Sequence, residues 1–392
     1  MSFFTDLQKV LRQNIRDYGM FIALFVIWVV FAFLTDGIFV SSRNISNLLN
    51  QTGYIAVLGI GMTLVIVIRH IDLSVGFLAG FLGAVAAIAM TPEWGWNVWV
   101  VILFALVIGA VLGLVPGFLV AKMGIPAFVA TLAGFLAYRG AIQMVTEGTG
   151  TIIISNPTFN AIGNGFIPDI PGELWPGIHL LTLVLGAIGI VLYIVGEIRS
   201  RRTQQAYEFE VLPINIFILK LAFVALLIGG MTWVLAGYNG LSWTVVVVLL
   251  VVGIYSFMTT QTVLGRHIYA VGGNPEAAQL SGVNVRRITY FVFSQMGMLA
   301  ALSGMLFASR LQSATTTAGT LFELDAIAAA FVGGVSAAGG VGRVTGALIG
   351  ALVMASLANG MNLMSLDTSY QYLVRGGVLA AAVIFDVATR NR

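Results

Sequence analysis

Apolar residues fall along this chain in long, nearly unbroken blocks. Trp243 to Phe257 is one of them, and it lacks the apolar-out, polar-in alternation that a membrane barrel strand requires. A helix needs about 20 mostly apolar residues to cross roughly 30 Å of hydrocarbon. Blocks near 18–35, 53–69, 72–91, 98–120, 126–145, 178–198, 213–235, 241–260, 288–308, 323–341, 343–361 and 370–388 therefore predict an all-α, polytopic bundle of about twelve membrane helices. Several blocks are short or glycine-rich, so the range runs from ten to twelve. No small-residue cleavage pattern follows the apolar run from Phe21 to Leu34, which reads as a retained first helix and not as a removed signal. No linker is polar or long enough to separate domains. Residues 18–388 read as one membrane domain, with a segment 1–17 before it and a tail 389–392 after it.

Composition agrees with that pattern and removes whole classes of function. Of 392 residues, 59% are apolar and 9% charged, against about 45–50% and roughly 25% in ordinary globular domains. Too few charged groups remain to cover a water-exposed surface, which excludes a soluble enzyme. A nucleic-acid binder is excluded too, because membrane orientation uses most of the 19 Lys and Arg. The chain has no Cys, hence no disulfide, thiolate nucleophile or thiolate metal site. His70, His179 and His267 are scattered and suggest no metal centre. No Ser-His-Asp set, paired glycosidase carboxylates or nucleotide-binding G-x-x-x-x-G-K-[ST] loop occurs, so no catalytic residue is expected.

Lys and Arg set the orientation. With the N-terminus inside and twelve alternating spans, the cytoplasmic side collects Lys9, Arg12, Arg16, Arg69, Lys122, Arg199, Arg201, Arg202, Arg266, Arg286, Arg287, Arg343, Arg390 and Arg392. The outer side holds only Arg43 and Arg310, while Arg139, Lys220 and Arg375 fall within spans. Both termini are thus expected in the cytoplasm. The longest outer connection, 146–177, is rich in Gly, Pro, Asn and Thr; the notable cytoplasmic ones are 199–212 and 261–287.

Polar residues gather at three places. In R-H-I-D-L-S-V-G at 69–76, Asp72 and Ser74 are suitable caps for the third span. They either pin a tight reversal or touch a transported solute. In G-I-P-A-F-V-A-T-L-A-G-F-L-A-Y-R-G at 124–140, Pro126 suits a helix start and Thr131 permits close packing or a bend. Arg139 either snorkels to the interface or faces a water-filled path. At 322–353, Glu323 and Asp325 mark the outer mouth of a span whose interior holds Gly333, Gly334, Gly339, Gly340 and Gly342. Such a run suits a broken helix at a pathway, or backbone-to-backbone packing within the bundle. Asp72, Asp325 and Asp386 lie near span ends, not at the mid-depth that an ion-coupled carrier would use.

Residues 264–287 contain a short capped helix. Asn274 is a good N-cap, Pro275 fits the first helical position, and Glu276 favours the positive end. Ala277, Ala278, Gln279 and Leu280 continue it to Ser281, and Gly282 can end it in the left-handed conformation. Two turns are far below the ~12–15 residues at which an isolated helix becomes marginally stable. The helix must lie against its own bundle or offer its apolar face to a groove in another protein.

The G-G-N-P-E-A-A-Q-L-S-G-V-N-V-R-R stretch at 272–287 resembles the coupling loop of the branched-chain amino acid/monosaccharide group of ABC-importer permeases. I-D-L-S-V-G at 71–76, G-I-P-A-F-V-A-T-L-A-G at 124–134 and A-A-A-F-V-G-G-V-S-A-A-G-G-V-G-R-V-T-G-A at 328–347 fit the same group, over about 40–385. The chain looks most like the longer permeases for xylose and for galactose, glucose and arabinose. Compared with ribose-type permeases, it would have an added helix pair at 178–198 and 213–235.

The resemblance implies an ABC importer permease fold with broken helices: a non-catalytic, multi-pass homodimer in a bacterial inner membrane, carrying monosaccharide inward. A periplasmic monosaccharide-binding protein would dock outside, and a cytoplasmic ABC ATPase would bind the coupling helices, with ATP and Mg held by the ATPase and no cofactor by this chain. The coupling role carries over to Gly273 through Gly282, and a structural role to Asp72 and to the glycines of 333–342. Related permeases for autoinducer, nucleoside or branched-chain amino acids, an ion-coupled secondary carrier and a membrane enzyme are the competing classes.

Overall fold

The computed structural model describes residues 15–148, 150–171, 175–209 and 211–390. Lys9, Arg12 and Arg392, used above for orientation, lie outside these residues, as do most of the segment 1–17 and the end of the tail 389–392. Among the described residues the chain forms fifteen α-helices and two three-residue strands. Helix α1 (Ile15–Leu34) leads through a single 3-10 turn, Ile38–Val40, into α2 (Ser42–Val67). Then come α3 (Val75–Ala89), α4 (Val98–Ala121), α5 (Ala127–Val145), strand β1 (Thr151–Ile153) and the short α6 (Pro157–Asn164). The hairpin α7 (Leu180–Ala206) and α8 (Ile214–Ala236) precedes α9 (Trp243–Gln261), α10 (Val263–Gly273) and α11 (Pro275–Leu280). The chain closes with α12 (Val285–Leu311), strand β2 (Ser313–Thr315), α13 (Phe322–Val332), α14 (Val344–Leu363) and α15 (Thr368–Arg390).

Nine of these helices are long and apolar enough to cross a membrane. The first and third predicted spans are shorter apolar helices, Gly19–Leu34 and Val75–Ala89. The predicted span 323–341 is helical only to Val332, and residues 333–343 continue it without a helix. The twelve predicted spans thus correspond, among the described residues, to nine long helices, two short ones and one broken one.

Helix α12 occupies the centre, against α2, α3 and α4, while α13 and α14 cover the other side of α2. Small residues make these approaches possible. A Cβ added at Gly113 would sit 3.1 Å from Gly297 N, and one added at Gly109 would sit 2.8 Å from the Ala301 side chain. With Gly117 they form a G-x-x-x-G-x-x-x-G face on α4, the small-residue pattern by which membrane helices pack closely. Helix α2 is almost wholly buried, whereas α7, α8 and α15 leave most of their apolar surface exposed. The α7–α8 pair packs mainly on itself and is tied by Lys220 Nζ to Glu197 Oε1 at 2.8 Å.

The connection 146–177, expected on the outer side, carries built structure in its described residues. Strands β1 and β2 pair antiparallel, Thr151 opposite Thr315 and Ile153 opposite Ser313. Asn156 caps α6, its Oδ1 accepting from Thr158 N at 3.0 Å and Phe159 N at 3.2 Å, and Pro157 takes the first helical position. Ser309 of α12 then fastens α6, accepting from Gly163 N at 2.7 Å and donating to Phe159 O at 2.7 Å. Farther along, the Asp169 carboxylate accepts from Leu180 N and Leu181 N at the start of α7.

The candidate coupling site and the broken helix

Local chemistry builds α11 as the sequence indicated. Asn274 Oδ1 accepts from Ala277 N at 3.0 Å, and Pro275 and Glu276 open the helix. At the far end Gly282 adopts φ +85°, with Val283 N donating to Ala278 O and Gly282 N to Gln279 O, both at 3.0 Å. That pair of bonds is a Schellman closure, which only a residue comfortable at positive φ completes without strain. Ser281 Oγ adds a bond to Ala277 O at 2.9 Å.

The faces of α11 separate the residues grouped above. Ala278 is 5% exposed and belongs to the chain's own core, so it turns away from any external groove. Leu280 is 90% exposed, and Gly273, Asn274, Glu276 and Ala277 are exposed with it. Gln279, Gly282, Val283, Asn284, Val285 and Arg286 line an open cavity of about 660 Å³ where α11 runs into α12. Ala278 is thus corrected from outward contact to inward anchor.

Asp72 and Ser74 pin the reversal between α2 and α3. Asp72 Oδ1 accepts from Ser74 N at 2.9 Å and from Ser74 Oγ at 2.6 Å, and both side chains are buried. Ser74 is the N-cap residue of α3 but makes no side-chain cap bond; its N–H and its hydroxyl both donate to Asp72. Thr131 of α5 reaches the same turn, its hydroxyl donating to Ala127 O at 2.9 Å and lying 3.3 Å from Ile71 O. Arg139, two turns farther along α5, joins none of these; its exposed guanidinium lies 5.7 Å above the Phe77 ring.

The glycines of the broken segment have different tasks. Gly333 ends α13 against α14, where an added Cβ would sit 2.7 Å from Ala347 N. Gly334 has φ +85° and open space around it, so its need is conformational and not steric. Gly339 and Gly340, at φ +80° and +72°, lie against the end of α10: a Cβ at Gly340 would meet Gly273 Cα at 2.8 Å. On the other flank Asp386 Oδ2 accepts from Ser336 Oγ and Ala337 N, each at 3.2 Å. Glu323 and Asp325 are buried in α13, and Arg375 of α15 pairs with Asp325 at 3.3 Å.

Sequence reasoning missed Arg69. It adopts φ +68°, donates from Nε to Gly272 O at 2.6 Å and bonds Gly273 O through a terminal nitrogen. Tyr269 also escaped notice; its hydroxyl donates to Gly342 O at 2.6 Å. The only signal was a basic residue at the end of an apolar run, which reads equally well as an orienting charge.

A family model described as branched-chain amino acid transport system / permease component matches residues 44–168 and 175–383. The chain is 40% identical to the xylose transport system permease protein of Haemophilus influenzae, covering 98% of this chain and 99% of that one. It is also 40% identical to the protein of that name from Escherichia coli K12, over 97% and 93% of the two chains. The ribose import permease protein of Escherichia coli K12 is 36% identical, over 93% and 92%. No solved structure matches the chain.

Proposed function

Because the chain belongs to the branched-chain amino acid transport system / permease component family, we propose that it is the membrane-spanning permease subunit of an ATP-driven monosaccharide importer. One observation carries the reading: 40% identity to a xylose permease along nearly the whole of both chains. The 36% identity to a ribose permease supports the same solute class and favours xylose over ribose within it. The chain is then non-catalytic. Two copies enclose the path, a periplasmic sugar-binding protein delivers the solute, and a cytoplasmic ATPase holds ATP and Mg. Both termini face the cytoplasm, as the Lys and Arg bias supports.

Helix α11 suits the contact with the ATPase in this reading. It is capped at both ends by side chain and backbone, anchored inward by Ala278, and presents an exposed Leu280. A rigid projection of this kind moves as one body with the helices behind it.

Reconstitution tests the assignment. Proteoliposomes containing the permease and an ATPase encoded with it are mixed with the corresponding binding protein and labelled xylose or ribose. Uptake that requires ATP and binding protein, with xylose preferred, is expected. Uptake driven by a proton or sodium gradient without ATP would overturn the reading in favour of a secondary carrier.

A further inference from the structure

We propose that Arg69 is a positioning residue that joins the short helix α11 to the broken segment 333–343, so that the two move as one body during transport. The proposal rests on the permease reading above. Three connections meet at this point: the end of α2, the end of α10, and the loop after α13. The Arg69 guanidinium grips the carbonyls of Gly272 and Gly273, the last two residues of α10 and the two immediately before the α11 cap. A cation at a helix C-terminus is favoured by the helix dipole, and charge-assisted bonds are roughly twice as strong as neutral ones.

The third partner is held on the same few atoms. Gly340 N donates to Val67 O at 2.8 Å, two residues before Arg69. A Cβ at Gly339 would sit 2.8 Å from Gly272 O, and one at Gly272 would sit 2.7 Å from Gly340 N. These backbones touch, the Arg69 side chain packs against Gly339 beside them, and Tyr269 ties α10 to Gly342 just beyond. Asp72 accepts from Ser74, and Arg69 spends its guanidinium on the α10 carbonyls. A displacement of α11 is therefore passed through two carbonyls to Arg69, and directly by glycine contact to Gly339 and Gly340. From there it reaches Gly333, where α13 ends on α14.

The Cys-free chain permits a test that does not depend on transport. Spin labels at Gln279→Cys and Val341→Cys report the distance between α11 and the broken segment in nanodiscs. Wild type should give one narrow distribution, and both Arg69→Ala and Arg69→Lys should broaden it, since an ammonium lacks the fixed planar fork with which the guanidinium holds both carbonyls. In the reconstituted importer the Arg69 variants should retain ATPase association while sugar carried per ATP falls about tenfold, the scale of one charge-assisted bond. An unchanged distance distribution in both variants overturns the proposal. So does wild-type uptake per ATP, or a joint loss of thermal stability and ATPase association, which marks a merely structural arginine. If wild-type permease binds no ATPase, the permease reading fails, while the distance measurement still judges the Arg69 link.

Discussion

Ala277, Ala278 and Leu280 stand on two turns of one helix, yet they face different surroundings. Ala278→Asp would bury a carboxylate among the chain's own apolar residues and should lower stability by about 2–4 kcal/mol. Leu280→Asp places the same charge in solvent, so folding should be unchanged and only ATPase recovery in a pull-down should be lost. Thermal unfolding and pull-down of the two variants should therefore separate cleanly. Outside the membrane, the backbone N–H of Leu181, with those of Ile170 and Leu180, holds the Asp169 carboxyl below the usual carboxylate range. A depressed folded-state value means that its stabilising contribution is present above the ordinary carboxylate range and lost as pH falls through the folded value. Melting of wild type and Asp169→Ala should differ at neutral pH and converge in acid below that range.

At the scale of elements, the close approach of α13 and α14 makes a sharp prediction. A Cβ at Gly350 would meet Ala329 C at 2.8 Å and Gly333 N at 2.9 Å, so Gly350→Leu should destabilise by roughly 1–3 kcal/mol through overpacking. Gly334→Ala meets open space and should suffer only the left-handed backbone, roughly 1–2 kcal/mol, with Gly334→Asn milder still. Expression and melting of the three variants check the order. Much of this was legible in the sequence. Apolar block length located the long helices, and Asn274-Pro275 with Gly282 gave α11 almost atom by atom. The same Asn-Pro signal at 156–157 opens α6 and was passed over, because its setting of Gly, Pro and Thr reads as a loop. What the sequence withheld depends on partners far along the chain: the inward turn of Ala278, the pairing of β1 with β2, and the Arg69 link to Gly272 and Gly273. Each is a tertiary choice that local pattern does not encode.

At the scale of the whole molecule, Phe166 pairs with Ser242 and Ile167 N donates to Leu241 O, which sets the 150–171 connection at the start of α9, a full helix length from the 262–284 connection. His179 N donates to Ala236 O, which sets the start of α7 beside the end of α8 and the turn between them a helix length away. Single cysteines at Ser155, Gln204 and Gln279, all exposed, should report this in intact cells. A membrane-impermeant thiol reagent should label Ser155→Cys alone; labelling at 204 without 279 would mean that α8 and α9 do not cross as a pair. The central position of α12 also governs the order of synthesis. Helices α2, α3 and α4 bury their small-residue faces on it, yet about 160 residues separate the end of α4 from its start. At ~5–20 residues per second the ribosome needs roughly ten to thirty seconds to make that stretch. Helix α4, the most apolar of the candidate spans, can wait in lipid unaided. Helix α2 carries Asn44, whose side-chain partner Asn359 lies in α14, made after α12, and so waits longer still. The interval is a window in which an insertase or lipid must stand in for α12, and in which a slow ribosome would leave the early helices open to proteolysis.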